Sequence, residues 1–428
     1  MRTRRRNVSI FSFSPKSVRL LQELSVSRVL TVGVSAMRRR RRNVSKDRLT
    51  ISTRRSRRKK TSPNGIENSV QIPVDLIIEI LLRLQAKSIA TCRCVSKLWG
   101  SVICRQDFTE LFLTRSLHRP QLLFCCKKNG NLFFFSSPQL QNPYENSSAI
   151  SLMNFSLSSK ISRPVNGLIC FKRKETNETG TVICNPSTGH ILNLPKPATS
   201  IGAMSFLVYE PVEKQFKVLL SYESEEHQVL TLGTGELSWR MIECSIPHIP
   251  GLSEICINGV LYYPAIDLSS GDYIIVCFDA RSEKFRFITV MEDFIKAAHH
   301  GILINYNGKL ASLVSERDCF VDGRSKTIEL WVLQDAEKQE WSKLIYVLPA
   351  WWQDMVGTLD LRFVGVTRTN EIMLSPCYQT VPFDVFYFNI EKKTMISVEI
   401  QGMEAFQGHL VFTYLDHVEN VKLLQNIF

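Results

Sequence analysis

Twelve cysteines, eight histidines and a scatter of acidic residues are the side chains that could carry chemistry in this 428-residue chain. The cysteines stand at 92, 94, 104, 125, 126, 170, 184, 244, 256, 277, 319 and 377. No two are spaced as C-x-x-C, so the zinc-ribbon and dithiol redox patterns are absent. Cys92 with Cys94, and adjacent Cys125 with Cys126, suit small buried apolar side chains better than metal ligands. His299-His300 is the only adjacent histidine pair. Adjacent residues do not share a helix face, and no acidic or thiol ligand clusters beside them, so a loop or surface position is expected rather than a metal site. Gly233-x-Gly235 lacks the third glycine of a dinucleotide loop, and Walker, G-x-S-x-G and H-E-x-x-H patterns do not occur. No motif nominates a nucleophile, a metal or a cofactor, and a pair of catalytic carboxylates is not named by spacing alone.

Hydrophobic residues make up 44% of the chain and charged residues 22%, which fits a folded globular body. Twenty-four Phe, 11 Tyr and 6 Trp are too many for a wholly disordered chain. No run approaches the ~20 apolar residues of a membrane-spanning helix, so no membrane partner is expected. A secretory signal is also missing, which points to a reducing compartment and makes Asn146, Asn154 and Asn177 uninformative as glycosylation acceptors.

The net charge of +13 is unevenly placed. Residues 1–60 hold 20 Lys+Arg against 2 acids, a net +18, leaving 33 against 38, a net −5, for residues 61–428. Like-charge blocks such as Arg38–Arg42 repel themselves, so residues 1–65 read as a disordered basic arm. Within it Met1-Arg-Thr-Arg-Arg-Arg-Asn-Val-Ser9 recurs as Met37-Arg-Arg-Arg-Arg-Arg-Asn-Val-Ser45, a local duplication that makes Met37 an alternative start. The arm can be a nuclear-import or polyanion-binding segment, a solvated tail, or an Arg- and Ser-rich mitochondrial transit peptide. The acidic balance of the body counts against nucleic-acid binding anywhere but the arm.

Order is expected from Ile72. Pro73 suits a helix's first turn, where a missing N–H costs nothing, and a helix is expected over Val74–Gln85. At 100° per residue, Leu76, Ile77, Ile80, Leu81 and Leu84 form a stripe about 140° wide. Val74, Ile78 and Leu82 continue it, leaving only Asp75, Glu79 and Arg83 polar. Such an arc exceeds what a short helix can bury against its own small neighbours, so a second polypeptide is expected to cover part of it. Ser88 is expected to cap a second helical stretch through Ile89, Val95 and Trp99. The unit spans residues 66–115.

From residue 120 the period changes to two. Asn-Gly, the strongest short hairpin signal, occurs at 129–130, 166–167, 258–259 and 307–308. A second hairpin type runs from an apolar strand through a polar turn to an aromatic-led strand, as in Leu207–Glu210 to Phe216 and Val276–Asp279 to Phe285. Units then start near 166, 210, 258, 307 and 370, and four strands per 40–50 residues is the mark of propeller blades. Five to six blades fit. The long last step leaves room for an insertion around Trp351-Trp352. The propeller is expected over residues 120–395, with C-terminal strands or a tail over 396–428.

Both halves carry a family resemblance. Ile72-Pro73-x-Asp75-Leu76-x-x-Glu79-Ile80-Leu81-x-Arg83-Leu84, then Lys87-Ser88-Ile89 and Arg93-Cys94-Val95-Ser96-Lys97-x-Trp99, resemble the F-box of the large plant F-box family. Gln85 departs from that family's usual Pro, and Thr91-Cys92 from its Arg-Phe. Asn166-Gly-Leu-Ile-Cys170, Val182-Ile-Cys-Asn-Pro-Ser-Thr-Gly189 and Ser205-Phe-Leu-Val-Tyr-Glu-Pro211 resemble the F-box-associated, kelch-like domain. The implied fold class is α+β multidomain: a basic arm, a small all-α F-box module and an all-β propeller-like domain. The resemblance implies a non-catalytic substrate-recognition subunit of an SCF-type ubiquitin ligase, the chemistry belonging to other subunits, with a propeller enzyme as a further reading. Ile72, Pro73, Leu76, Ile77, Ile80, Leu81, Leu84, Ile89, Val95 and Trp99 would hold a Skp-type adaptor, and through it a cullin, while the β domain holds an unidentified target protein. A nucleus or cytoplasm location accompanies this reading. The alternative is a nucleic-acid-associated regulator acting through its arm.

Overall fold

The computed structural model describes residues 72–422 except 140–146, 157–160, 176–177, 198–202, 223–225 and 234. The basic arm, its internal duplication and Met37 lie outside the described residues. Two compact units result: residues up to 77 together with 91–101, and residues 78–90 together with 102 onward.

Four helices open the described chain: α1 (Val74–Leu81), α2 (Ala86–Cys92), α3 (Lys97–Ile103) and α4 (Gln106–Leu117). The first helix stops four residues earlier than expected. Arg83 N donates to Ile80 O and Leu84 N to Leu81 O, tight three-residue bonds that end α1. The second expected helix is two helices, with the break at 93–96. Ser88 lies inside α2 rather than capping it. The side chain that does cap is Ser96, whose Oγ accepts the Trp99 N–H at 3.1 Å before α3.

Strands follow in chain order. They are β1 (Gln121–Lys128), β2 (Asn131–Pro138), β3 (Ser147–Ser148), β4 (Ile150–Ser156), β5 (Ile169–Glu175), β6 (Glu178–Asn185), β7 (His190–Asn193), β8 (Met204–Glu210), β9 (Gln215–Ser221), β10 (Glu226–Thr231) and β11 (Arg240–Glu243). Then come β12 (His248–Pro250), β13 (Ile255–Ile257), β14 (Val260–Asp267), β15 (Tyr273–Asp279) and β16 (Lys284–Thr289). After α5 (Ile295–His299) the chain forms β17 (Ile302–Tyr306), β18 (Lys309–Ser315), β19 (Phe320–Val321), β20 (Thr327–Asp335) and β21 (Glu340–Val347). After α6 (Trp352–Val356) it forms β22 (Leu361–Val366), β23 (Glu371–Pro376), β24 (Asp384–Asn389), β25 (Thr394–Gln401) and β26 (Leu410–His417).

These strands make six antiparallel blades, ordered from inner to outer strand. The first is β26-β1-β2-β4, the second β5-β6-β7 and the third β8-β9-β10-β11. The fourth runs from β12 and β13 through β14-β15-β16, the fifth is β17-β18-β20-β21, and the sixth is β22-β23-β24-β25. In the second blade the inner position is taken by the Ile161–Phe171 bridge. Among the described residues an apolar cluster lies between each blade and the next, and one of them joins Val385 and Val398 of the sixth blade to Leu122, Phe124 and Val411 of the first. A core between last and first blades means the ring is closed, which the repeat alone did not decide.

Because a blade packs on both faces, its middle strands lose the expected alternation. In β9 every residue from Phe216 to Ser221 is buried, and in β18 every residue from Leu310 to Ser315. Register is instead pinned at the turns. The connections from inner to second strand hold a residue at positive φ: Asn166 (44°), Lys214 (57°), Asn258 (49°), Asn307 (53°) and Asn370 (60°). Gly167 is obligatory beside the first of these, since a Cβ there would lie 2.5 Å from Val418 O. The extra length of the last step, in the fifth blade, is shared between the 316–326 connection and the 348–360 segment containing α6.

Candidate interaction surfaces

The ten residues expected to hold an adaptor are divided by the fold. Six lie in the first compact unit (Ile72, Pro73, Leu76, Ile77, Val95, Trp99) and four in the second (Ile80, Leu81, Leu84, Ile89). Ile77, Leu81, Ile89 and Trp99 are buried. Within this chain they pack as core, and a packed side chain offers little free area to a partner. Ile72, Ile80, Leu84 and Val95 are half-buried and Pro73 is exposed. Leu76 is 55% exposed, and Leu98, which the sequence pattern did not single out, is 43% exposed. Leu82, expected on the arc's far edge, is buried. The apolar excess of α1 is thus narrower than its sequence implied, but it survives at Leu76 with Ile80 one turn on. The polar line is as expected: Glu79 pairs with Arg83 at 3.7 Å and also with Arg115 at 3.8 Å.

Within the second unit α4 is fastened to the propeller. Glu110 meets Lys214 at 2.7 Å, and this bond holds the Glu110 carboxyl below its ordinary range. Glu419 N donates to Ser116 Oγ at 2.7 Å, and the Glu419 carboxylate accepts the Ala86 N–H at 3.0 Å. Lys214 belongs to the β8–β9 connection and Glu419 follows β26, so both mark the same end of the ring. In an up-and-down blade the first and third connections emerge at this end, and the second connection and the crossing to the next blade emerge at the other.

That other end is built from connected loops. Arg317 bridges Asp322 at 3.2 Å and Asp360 at 3.3 Å. Burial alone would raise the Asp322 carboxyl, but bonds from Arg324 and the charge of Arg317 leave it lowered. Trp352 Nε1 donates to Asp322 O at 2.8 Å, and Gly323 N to Gly357 O at 3.0 Å, so the two long connections brace each other. Lys128 Nζ reaches Ala405 O at 2.6 Å and lies over the Phe406 ring. Met291, Met355, Tyr378 and Val381 are exposed along these loops.

Among the described residues one cluster that could hold a metal went unread in the sequence. His227, Cys244 and His248 are buried, with candidate ligand atoms within 4.8 Å of one another. No motif announces them, because the three come from different parts of the third and fourth blades. Their hydrogen bonds decide what the cluster is. His248 Nδ1 donates to Ile246 O at 2.8 Å and its Nε2 accepts from Tyr263 OH at 2.9 Å. His227 Nδ1 accepts the Tyr222 N–H at 3.1 Å, so its hydrogen sits on Nε2. Burial pushes His227 down to about 3 and lowers His248, which keeps both rings neutral. A metal would have to displace the Tyr222 or Tyr263 bond or take a proton from Nε2. The residues fit a hydrogen-bonded core network better than a metal centre.

The remaining candidates are also structural. His299 Nε2 bonds Ala265 O at 3.3 Å and its ring meets Tyr273, while His300 is exposed opposite Asp318 at 3.8 Å. Burial pushes the Cys126, Cys170 and Cys277 thiols up to about 12 and raises Cys125 and Cys184 well above the ordinary thiol value, which makes them inert.

A short helical region followed by a closed six-bladed propeller defines a two-part architecture. The chain belongs to the F-box proteins, matching the F-box domain over residues 70–111 and the F-box associated beta propeller domain over residues 121–418. It is 86% identical over 393 residues to F-box protein At5g65850 of Arabidopsis thaliana, covering 92% of this chain and 100% of that protein. It is 49% identical to F-box protein DOR of Arabidopsis thaliana, covering 91% and 100% respectively. It is also 48% identical to putative F-box protein At3g23960 of the same plant, covering 89% and 98%.

Proposed function

We propose that this protein is the substrate-receptor subunit of an SCF-type ubiquitin ligase. Its F-box takes a Skp-type adaptor and through it a cullin, and its propeller takes the protein to be ubiquitinated. The observation that carries the reading is Leu76, an apolar side chain more than half exposed on the first helix of an F-box. Burying one Leu or Ile is worth roughly 1.5–3 kcal/mol. A few such anchors can drive association after its entropic cost is met.

The target is assigned to the loop-covered end of the ring, opposite the end that α4 and Glu419 occupy. The loops there are braced by Arg317, Asp322 and Trp352, so a partner meets a pre-organised surface. Transfer of ubiquitin belongs to other subunits, and no side chain here has to act as a nucleophile. The test is affinity capture from plant cells with ligase activity blocked. Adaptor and cullin should co-purify, and substitutions at Tyr378 and Val381 should remove accumulated targets while leaving the adaptor. Capture without adaptor would overturn the reading.

A further inference from the structure

The fifth blade has an unguarded outer edge. β21 is its last strand, pairs only with β20 among the described residues, and runs for eight residues. Leu344 is 44% exposed, Ile345 56% and Val347 67%. Edge strands present a row of unpaired N–H and C=O groups, and proteins usually guard them with charge, brevity or a cover. Other blades here do so. β11 has four residues and carries Arg240 and Glu243, and β16 carries Lys284 and Arg286. The edge of β25 is covered by the chain itself, with β3 pairing at Ile400–Ser147 and Gln401–Ser148. In β21 Glu340 stands only at the first residue, and the one central charge, the exposed Lys343, is engaged by its own sheet, pairing with Glu329 at 3.1 Å and lying over the Trp331 ring.

We propose that this edge pairs antiparallel with the same edge of a second copy of the chain. The β20 register places Trp341, Lys343, Ile345 and Val347 on one face and Ser342, Leu344 and Tyr346 on the other. A two-fold axis normal to the sheet keeps each face on its own side, so only a residue can lie on the axis. An axis at Lys343 sets two ammonium groups opposite each other. An axis at Ile345 shortens the pairing, because Leu348 N is already given to Lys326 O at 2.8 Å and Pro349 follows. An axis at Leu344 has neither fault. It sets Leu344 against its copy, Lys343 against Ile345, and Trp341 against Val347, which covers the most exposed side chain with an aromatic ring. A strand pair of this length buries less than the roughly 1,200 Å² of a standard stable interface, so the dimer is weak and concentration-dependent. Two linked receptors would bind a repeated or dimeric target with avidity.

Sedimentation velocity on the full chain over a wide concentration range tests this. The dimer fraction should rise with concentration and vanish in Ile345→Lys and Val347→Lys, both at solvent-facing side chains and both checked for folding by thermal melting. Leu344→Cys should form a covalent dimer under mild oxidation, since a residue on the axis meets itself within disulfide reach. Ser342→Cys, which faces Tyr346, should cross-link no more than the parent. A parent that stays monomeric throughout overturns the inference. So does a dimer lost in Leu76→Asp but kept in Val347→Lys, or a Leu344→Cys chain that cross-links no faster than the parent.

Discussion

The carboxylate of Glu419 accepts the backbone N–H of Ala86, 333 residues earlier, at 3.0 Å. Ala86 opens α2, so its N–H is one that no intrahelical carbonyl can satisfy. The chain's distal end therefore caps a helix near its start. Burial holds the Glu419 carboxyl up, against the pull of the Ala86 bond. Glu419→Ala should destabilise by about 1–3 kcal/mol, the cost of stranding a buried donor. Hydrogen exchange at Ala86 and Lys87 should speed up, and Glu419→Gln, which keeps an acceptor, should restore most of the protection.

Leu76 and Ile80 lie one turn apart on α1, and neither is fully buried. Leu76→Asp with Ile80→Asp should abolish adaptor pull-down while shifting the melting temperature only slightly. Ile77→Asp should instead unfold the region, because Ile77 is core. Undiminished co-purification of the Leu76/Ile80 double variant would falsify the adaptor assignment.

His417 is buried, and neither ring nitrogen has a hydrogen-bond partner. Burial lowers it to about 4, below the ordinary value near 6.5. The unfolded chain therefore binds the proton more readily than the folded one. Stability from this group is complete above pH 6.5 and is lost as pH falls toward 4, by an amount on the order of 3 kcal/mol. His227 acts in the same direction. Chemical denaturation at pH 7, 6, 5 and 4 should show the decline, and His417→Leu should make it shallower without loss at pH 7.

Thiol labelling should separate the cysteines by burial. Among the described residues Cys94 and Cys104 are exposed, whereas Cys125, Cys126, Cys170 and Cys184 are buried. Maleimide should modify the first pair quickly in the native protein and the other four only after unfolding. Peptide mass spectrometry gives the order, and early modification of Cys125 would contradict the packing between the first two blades.

The basic arm can be tested by its charge alone. Deleting residues 1–60 removes a net +18 and should leave adaptor binding unchanged. Any salt-sensitive association with nucleic acid should disappear with it. Loss of adaptor binding in the deletion would count against a self-contained F-box.

Local chemistry makes much of this molecule legible in the order of its residues. Asn-Gly at 166–167, 258–259 and 307–308 marks the inner turn of three blades, because type I′ turns need positive φ at both central residues. Where Lys214 takes the same conformation no dipeptide announces it, and only the flanking strands do. The width of the apolar arc on α1 points to a covering partner, but a helical wheel cannot say which residues the chain covers for itself. That division, Ile77 and Leu81 inward and Leu76 outward, comes from packing. Ring closure is beyond the sequence for a sharper reason. The first blade takes its inner strand from β26, some 290 residues after β1, so no repeat step spans it. The Glu419–Ala86 bond, the His227–Cys244–His248 cluster and the bare edge of β21 share this origin. Each depends on groups brought together by the fold or on a neighbour the fold leaves out, and spacing along a chain records neither.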